Sequence, residues 1–272
     1  MRAYDTAVSS ANPVRMALVQ MRSEKAAITE NLVAMRDYLA RASNERADVV
    51  VFPEMSITGY ADPTRMPGAI LSVDGATVSR FLALTRGSPA AVVAGIIEAN
   101  PGRKPYITQV VARNGRLLGV YRKRNIADDE LAWFDAGAEP LVFDHAGFRF
   151  GLSVCADIYK PKVFTDCGAL GATVMLECAA PGLYGEQTTR DWETGWQWWR
   201  GECHEHLGAT PANWAYTSLW RPRLAVPWTR TSPAAATSSA LPAYALRRHR
   251  TGPKECWWSP CRSIWLNGER RF

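Results

Sequence analysis

Three residues able to cooperate in nucleophilic chemistry stand at the ends of apolar runs: Glu54 in FPEMSITGY, Lys123 in YRKRN and Cys155 in SVCADIY. A sulfur attacks as thiolate, so it needs a base to take its proton or a cation to lower its pKa. Glu54 can supply the first and Lys123 the second. Each also has an ordinary reading, since a buried cysteine packs as a small hydrophobe and a strand-end lysine reaches water. The combination, and its placement, is what points to chemistry.

The placement follows from periodicity. VRMALVQM (14–21) is an apolar run of strand length, and 24–47 carries Ile28, Leu32, Met35 and Leu39 on one helical stripe. ADVVVFPE (47–54) reads as a strand buried on both faces that delivers Glu54 at its C-terminal end. A helix over 77–85 and a strand over 90–99 follow. Two strands, 107–112 and 117–121, flank Asn114-Gly115, a hairpin turn of the kind that needs positive φ at both central positions. The second of them runs into Lys123. Strands at 140–143 and 148–157 bring Cys155 to another strand end. A helix over 161–170, a strand over 173–179 and a helix over 189–207 complete the pattern. On that last helix Trp192, Trp196, Trp199 and Cys203 share one face, read as core or subunit contact rather than a binding platform. Alternating strands and helices with inserted hairpins predict a layered α/β domain of mixed pairing.

Composition narrows the function classes. The chain has 272 residues, 47% hydrophobic and 21% charged, enough for a substantial core. The stretch MRAYDTAVSSANP has no apolar segment of signal-peptide length and no long apolar run follows, so a cytoplasmic protein without membrane contact is expected. Six cysteines without a CxxC pair read as free thiols. Cys203-His204-Glu205-His206 is not HExxH, and no metal is expected there. The net charge of +6 does not imply nucleic acid, because the first 208 residues carry 22 basic and 24 acidic side chains.

FPEMSITGY, YRKRNIADDELAWFDAG and GLSVCADIYKPKVFTDCGALGA, in this order and spacing, resemble the three signature segments of the carbon–nitrogen hydrolase family, also called the nitrilase superfamily. Phe52-Pro53, Gly59-Tyr60, Phe134, Gly137 and Gly171-Ala172 agree with it. The resemblance covers about residues 14–208 and implies a four-layer α-β-β-α sandwich, a homo-oligomer, and a Glu54, Lys123, Cys155 triad assisted by Glu130. It implies that Cys155 attacks an amide or nitrile carbon while Glu54 takes the thiol proton. Lys123 and the Ala156 N–H would stabilise the developing charge, and Glu54 would then activate water against the thioester. Tyr60 and Asp157 are expected to bind the small-molecule substrate, and no cofactor is implied. Members acting on nitriles follow the nucleophile with Trp-Glu. Ala156-Asp157 here is closer to the amide-hydrolysing branches, so an amidase is expected first, and a nitrilase or N-carbamoyl hydrolase second. The rival of another class is a catalytically dead interaction module.

Residues 209–272 break the pattern. They hold ten Lys+Arg against two acids, no Asp, seven of the 17 prolines and six of the 11 tryptophans. The apolar strand, FPGGS-like segment and further strands that the resemblance leads one to expect are not legible after Gly208. Regrouping codons, the third base of each with the first two of the next, restores them. Thr231 to Thr237 can then spell DFPGGGY, the stretch before it GVHIAVATQAG, and Glu255 to Trp258 GMLVV. A single-base deletion near codon 208 is therefore expected to separate a C-terminally incomplete domain, 14–208, from an out-of-frame tail, 209–272. The alternative is a basic arm whose Arg and Trp side chains stack on single-stranded bases.

Overall fold

A computed structural model of the protein describes residues 14–180, 192–207, 213–218 and 262–267. Two sheets face each other. The first has the strand order β11-β1-β2-β4-β5-β6, with β3 beside β4. Its members are β1 (Arg15–Gln20), β2 (Val49–Val51), β3 (Ile70–Leu71), β4 (Ala91–Glu98), β5 (Tyr106–Arg113), β6 (Arg116–Arg122) and β11 (Arg262–Asn267). The second has the order β10-β9-β8-β7, from β7 (Val142–His145), β8 (Phe148–Val154), β9 (Val174–Ala179) and β10 (Asn213–Ser218). Pairing is mixed, as expected: β1, β2 and β4 run parallel, whereas β4, β5 and β6 form an antiparallel meander. Asn114 and Gly115 take φ of 48° and 78°, as the hairpin reading required.

Alternation along the strands makes the layers. Ala17, Val19, Val50, Val92 and Val110 point outward onto Leu32 and Met35 of α1 (Ile28–Asn44) and Phe81 of α2 (Ala76–Leu84). The neighbouring positions Met16, Leu18, Val51, Val93 and Val111 face inward, in one core with Phe150, Leu152 and Val154 of the second sheet. On the far side of that sheet pack Val163 and Phe164 of α3 (Pro161–Ala169) and Trp199, Cys203 and Leu207 of α4 (Trp192–Leu207). This is the α-β-β-α sandwich. Trp199 and Cys203 are buried, as the core reading of the Trp-rich face demands. The side chains of Trp192, Trp196 and His204 lie outside the described residues. No helix among the described residues is long and apolar enough to cross a membrane.

The tail departs from expectation. Of residues 209–272, two short segments join the sandwich: β10 pairs parallel with β9 and β11 parallel with β1. Without them β1 and β9 would be edges with a row of unpaired backbone groups. Such an edge accepts an extended segment through its main chain, with little regard to side-chain identity. Hydrophobic patterning, on which the sequence reading relied, does not register that kind of pairing. The rest of the tail and residues 1–13 lie outside the described residues.

Candidate active site

Glu54 comes from a distant part of the chain to meet Lys123 and Glu130 at one buried point. Lys123 directly follows β6, and its Nζ donates to Glu54 Oε1 at 2.9 Å and to Glu130 Oε2 at 2.7 Å. All three are fully buried. Glu130 closes a short helical turn, Asp128–Glu130, and its Oε2 also accepts the Ala127 N–H at 3.1 Å. Tyr60 donates its hydroxyl to the other Glu130 oxygen. The second oxygen of Glu54 accepts the N–H of Ala180, just past β9, at 3.2 Å.

Glu54 is delivered by a chain crossing that sequence reading did not anticipate. After β2 the backbone passes directly over β4 at Gly95. The Ile57 N–H bonds the Gly95 carbonyl at 2.8 Å, and the Ser56 hydroxyl accepts the Gly95 N–H at 2.9 Å. A Cβ on Gly95 would lie 2.2 Å from the Met55 nitrogen, so only glycine admits the crossing. Met55 takes φ of 50° in the same turn.

Cys155 opens a helical turn, Cys155–Tyr159, immediately after β8 and has φ of 48°. A non-glycine residue in the left-handed region costs about 1–3 kcal/mol, so its surroundings must hold it there. Asp157 is the brace. It accepts from the Val154 N–H at 2.9 Å and the Tyr121 hydroxyl at 2.7 Å with one oxygen, and from the Arg124 and Asn125 N–H groups at 3.1 and 2.7 Å with the other. The strand end carrying Cys155 is thereby tied to the segment carrying Lys123. Asp157 is fully buried, and these accepted hydrogen bonds give it a structural role that the substrate-binding expectation did not include.

The charges set the protonation pattern. Burial pushes Glu54 up to about 7, against the pull of Lys123. Burial opposes the charge on Lys123, but Glu54, Cys155 and Glu130 together hold its pKa well above the ordinary range. Burial raises the Cys155 thiol, and the Glu54 charge raises it further than Lys123 lowers it. The resting sulfur is therefore a thiol, because the ammonium is already shared between two carboxylates. Glu54, poised near neutrality, has the proton affinity that a general base needs. Cys155 and Tyr60 are only partly buried, so thiol and phenol front a cluster whose charged groups are sealed from solvent. Ala156 occupies the second position of its helical turn, where N–H groups have no intrahelical acceptor. Among the described residues no group of three or more His, Cys, Asp or Glu side chains could hold a metal ion.

The buried acid Glu177 was not singled out by sequence reading. Glu177 lies on β9 opposite Ser153 and is fully buried. Its signal in the sequence is an acidic residue inside the apolar run TVMLECA.

Comparisons with known proteins agree with this geometry. The carbon-nitrogen hydrolase family model matches residues 15–202. A glutamine-dependent NAD(+) synthetase of Acinetobacter baylyi is 28% identical over 183 residues, 65% of this chain and 33% of that protein. An (R)-stereoselective amidase of a Pseudomonas species is 27% identical over 163 residues, 60% of this chain and 59% of the amidase. Among solved structures, an amidase from Nesterenkonia sp. superposes with a TM-score of 0.59 at 25% identity, covering 74% of each chain. The glutamine-dependent NAD+ synthetase of Acinetobacter baumannii, at 23% identity, shares the fold with a TM-score of 0.62 over 75% of this chain and 38% of its own. The chain spans about a third of the length of the synthetases it matches. With the family matched over most of its length and its sandwich shared with these enzymes, this chain belongs to the carbon–nitrogen hydrolase family of the nitrilase superfamily.

Proposed function

We propose that the protein hydrolyses a carboxylic amide to the acid and ammonia through a thioester on Cys155. The observation that carries this reading is Lys123, held between Glu54 and Glu130 beside a half-buried cysteine. As sulfur bonds to the amide carbon, its proton passes to Glu54, and the negative charge moves to the carbonyl oxygen, met by Lys123 and the Ala156 N–H. The tetrahedral adduct collapses with cleavage of the C–N bond, and the proton on Glu54 leaves with the amine as ammonia. Glu54 next takes a proton from water, whose oxygen attacks the thioester carbon. The carboxylic acid departs, and the sulfur regains the proton from Glu54. Glu130 fixes the Lys123 ammonium, and Tyr60 fixes Glu130.

The amidases among the relatives and Ala156-Asp157 after the nucleophile support an amide over a nitrile or N-carbamoyl substrate. The synthetase relatives depend, by name, on glutamine, whose side chain is a primary amide. Ammonia release should therefore be measured on aliphatic and aromatic amides, glutamine, nitriles and N-carbamoyl amino acids. Turnover of an amide, lost in Cys155→Ala and accompanied by an acyl mass on Cys155, is the expected result. No acyl adduct with any of these would favour an inactive interaction module.

Residues 209–272 are proposed to be the out-of-frame product of a single-base deletion near codon 208. Support comes from the tail's composition and from the segments restored by regrouped codons. Resequencing the locus decides: an intact frame encoding the visible tail, shared with near relatives, overturns it. The restored frame should yield more soluble protein and faster turnover than the chain as it stands.

A further inference from the structure

β9 touches both halves of the proposed chemistry. Its end supplies the Ala180 N–H to Glu54, and three residues earlier Glu177 lies beside the strand that bears the nucleophile. The Ser153 hydroxyl and the Glu177 carboxyl share a hydrogen bond, and the backbone N–H of Cys155 lies close enough to the same carboxyl to favour its charged form. Ser153 stands directly opposite Glu177 in the parallel ladder, so this contact is set by strand register. The neighbouring position Gly151 faces α3, where a Cβ would meet Cys167, which puts Glu177 on the side of the sheet facing the helices. The carboxyl thus reaches Cys155 from behind the strand.

We propose that Glu177 is a positioning residue for the nucleophile: by binding the Ser153 hydroxyl and facing the Cys155 N–H from β9, it holds Cys155 in its left-handed turn, aligned with Glu54, whose carboxylate the far end of β9 meets through the Ala180 N–H. Two consequences follow from the geometry. The Cys155 N–H faces Glu177, which leaves the next N–H, at Ala156, for the oxygen of the substrate. The buried carboxyl also needs no charge for this task. Among the groups that act on it are Ser153 and Cys155 at the end of β8, Asp157 in the turn, Glu54 after β2 and Cys203 of α4. Lys123, the nearby cation, is held by Glu54 and Glu130. Burial together with the like charges of Asp157 and Glu54 raises the Glu177 pKa well above the carboxylate range, so it works as a neutral acid.

This inference rests on the proposed role of Cys155, and its test separates the two. The full chain is compared with Glu177→Gln and Glu177→Val by the rate at which iodoacetamide alkylates Cys155 from pH 6 to 9, with the modified residue located by mass spectrometry. The kcat and KM are measured on whichever amide the wild type turns over. Glu177→Val should slow both alkylation and kcat about tenfold, as small misplacements of a reacting group do, with KM unchanged. Glu177→Gln, which keeps a neutral acceptor, should restore most of both rates and leave the pH midpoint of alkylation in place. Wild-type rates in Glu177→Val overturn the positioning role. A midpoint shifted downward in Glu177→Gln overturns the neutral acid, since removing a negative charge would ease thiolate formation. If Glu177→Val does not fold, as circular dichroism would show, the Glu177→Gln profile alone decides. If the wild type turns over no amide but is alkylated at Cys155, the amidase reading fails while the comparison of variants still stands.

Discussion

Lys123 Nζ lies 2.9 Å from Glu54 Oε1 with both side chains sealed from solvent, and the same nitrogen meets Glu130 at 2.7 Å. Two carboxylates on one ammonium leave a net negative cluster, which keeps the neighbouring sulfur protonated. Removing the cation strands both acids. Lys123→Met should cost about 3–5 kcal/mol in chemical denaturation and abolish turnover, because a buried charge without its partner is penalised heavily.

The pH response follows from Glu54. Its folded-state pKa of about 7 lies above the 4.5 of an unperturbed glutamate, so the folded protein binds the proton more tightly than the unfolded chain. The Glu54 contribution to stability is therefore full below pH 4.5 and is lost as pH rises to about 7. Over the upper part of that range kcat/KM should rise, as the base ionises. Glu54→Gln should flatten the stability slope in this window and remove the turnover. Denaturation and pH-rate profiles on both proteins check it.

The left-handed backbone of Cys155 makes a prediction independent of substrate. Cys155→Gly and Cys155→Ala both remove the sulfur, but glycine relieves the strain at φ 48° and alanine keeps it. The glycine variant should be about 1 kcal/mol more stable than the alanine variant, read from thermal unfolding. Equal stabilities would mean that the turn is not strained.

Asp157 ties the nucleophile turn to the lysine segment through four accepted hydrogen bonds. An asparagine presents an NH2 to donors and fails at least one pair of them. Asp157→Asn should lose about 2–4 kcal/mol and lower kcat far more than it alters KM. Tyr121→Phe, which deletes one of the four, should lose about 1 kcal/mol.

The crossing of the Glu54 segment over Gly95 leaves no room for a methyl group. The obstacle is the Met55 backbone, which cannot turn aside as a side chain would. Gly95→Ala should cost about 1–3 kcal/mol and displace Glu54, with activity falling further than stability. An alanine variant with full kcat would show that the crossing is looser than drawn.

Strand and helix periodicity determined most of the elements and put Glu54, Lys123 and Cys155 at the ends of their strands. The signature segments added Glu130 and the sandwich. Local pattern suffices for this because alternation of period 2 and stripes of period 3.6 are written in neighbouring residues. What lies between residues far apart in the chain is not. Asp157 reads as a substrate contact in the sequence, and the brace it forms is visible only once Tyr121, Arg124 and Val154 are seen to surround it. Glycine at 95 reads as an ordinary strand residue until Met55 crosses above it.

Tertiary structure alone decided the protonation of the site and the edges of the sheets. The raised pKa of Glu54 comes from burial weighed against Lys123, 69 positions away, a balance that no spacing encodes. Strands β10 and β11 come from a tail in which the sequence reading recognised no strand, and a sheet edge recruits partners through backbone hydrogen bonds common to every sequence. Residue types set which chemistry was possible here. The sandwich set which groups hold charge, which hold protons and which hold the others in place.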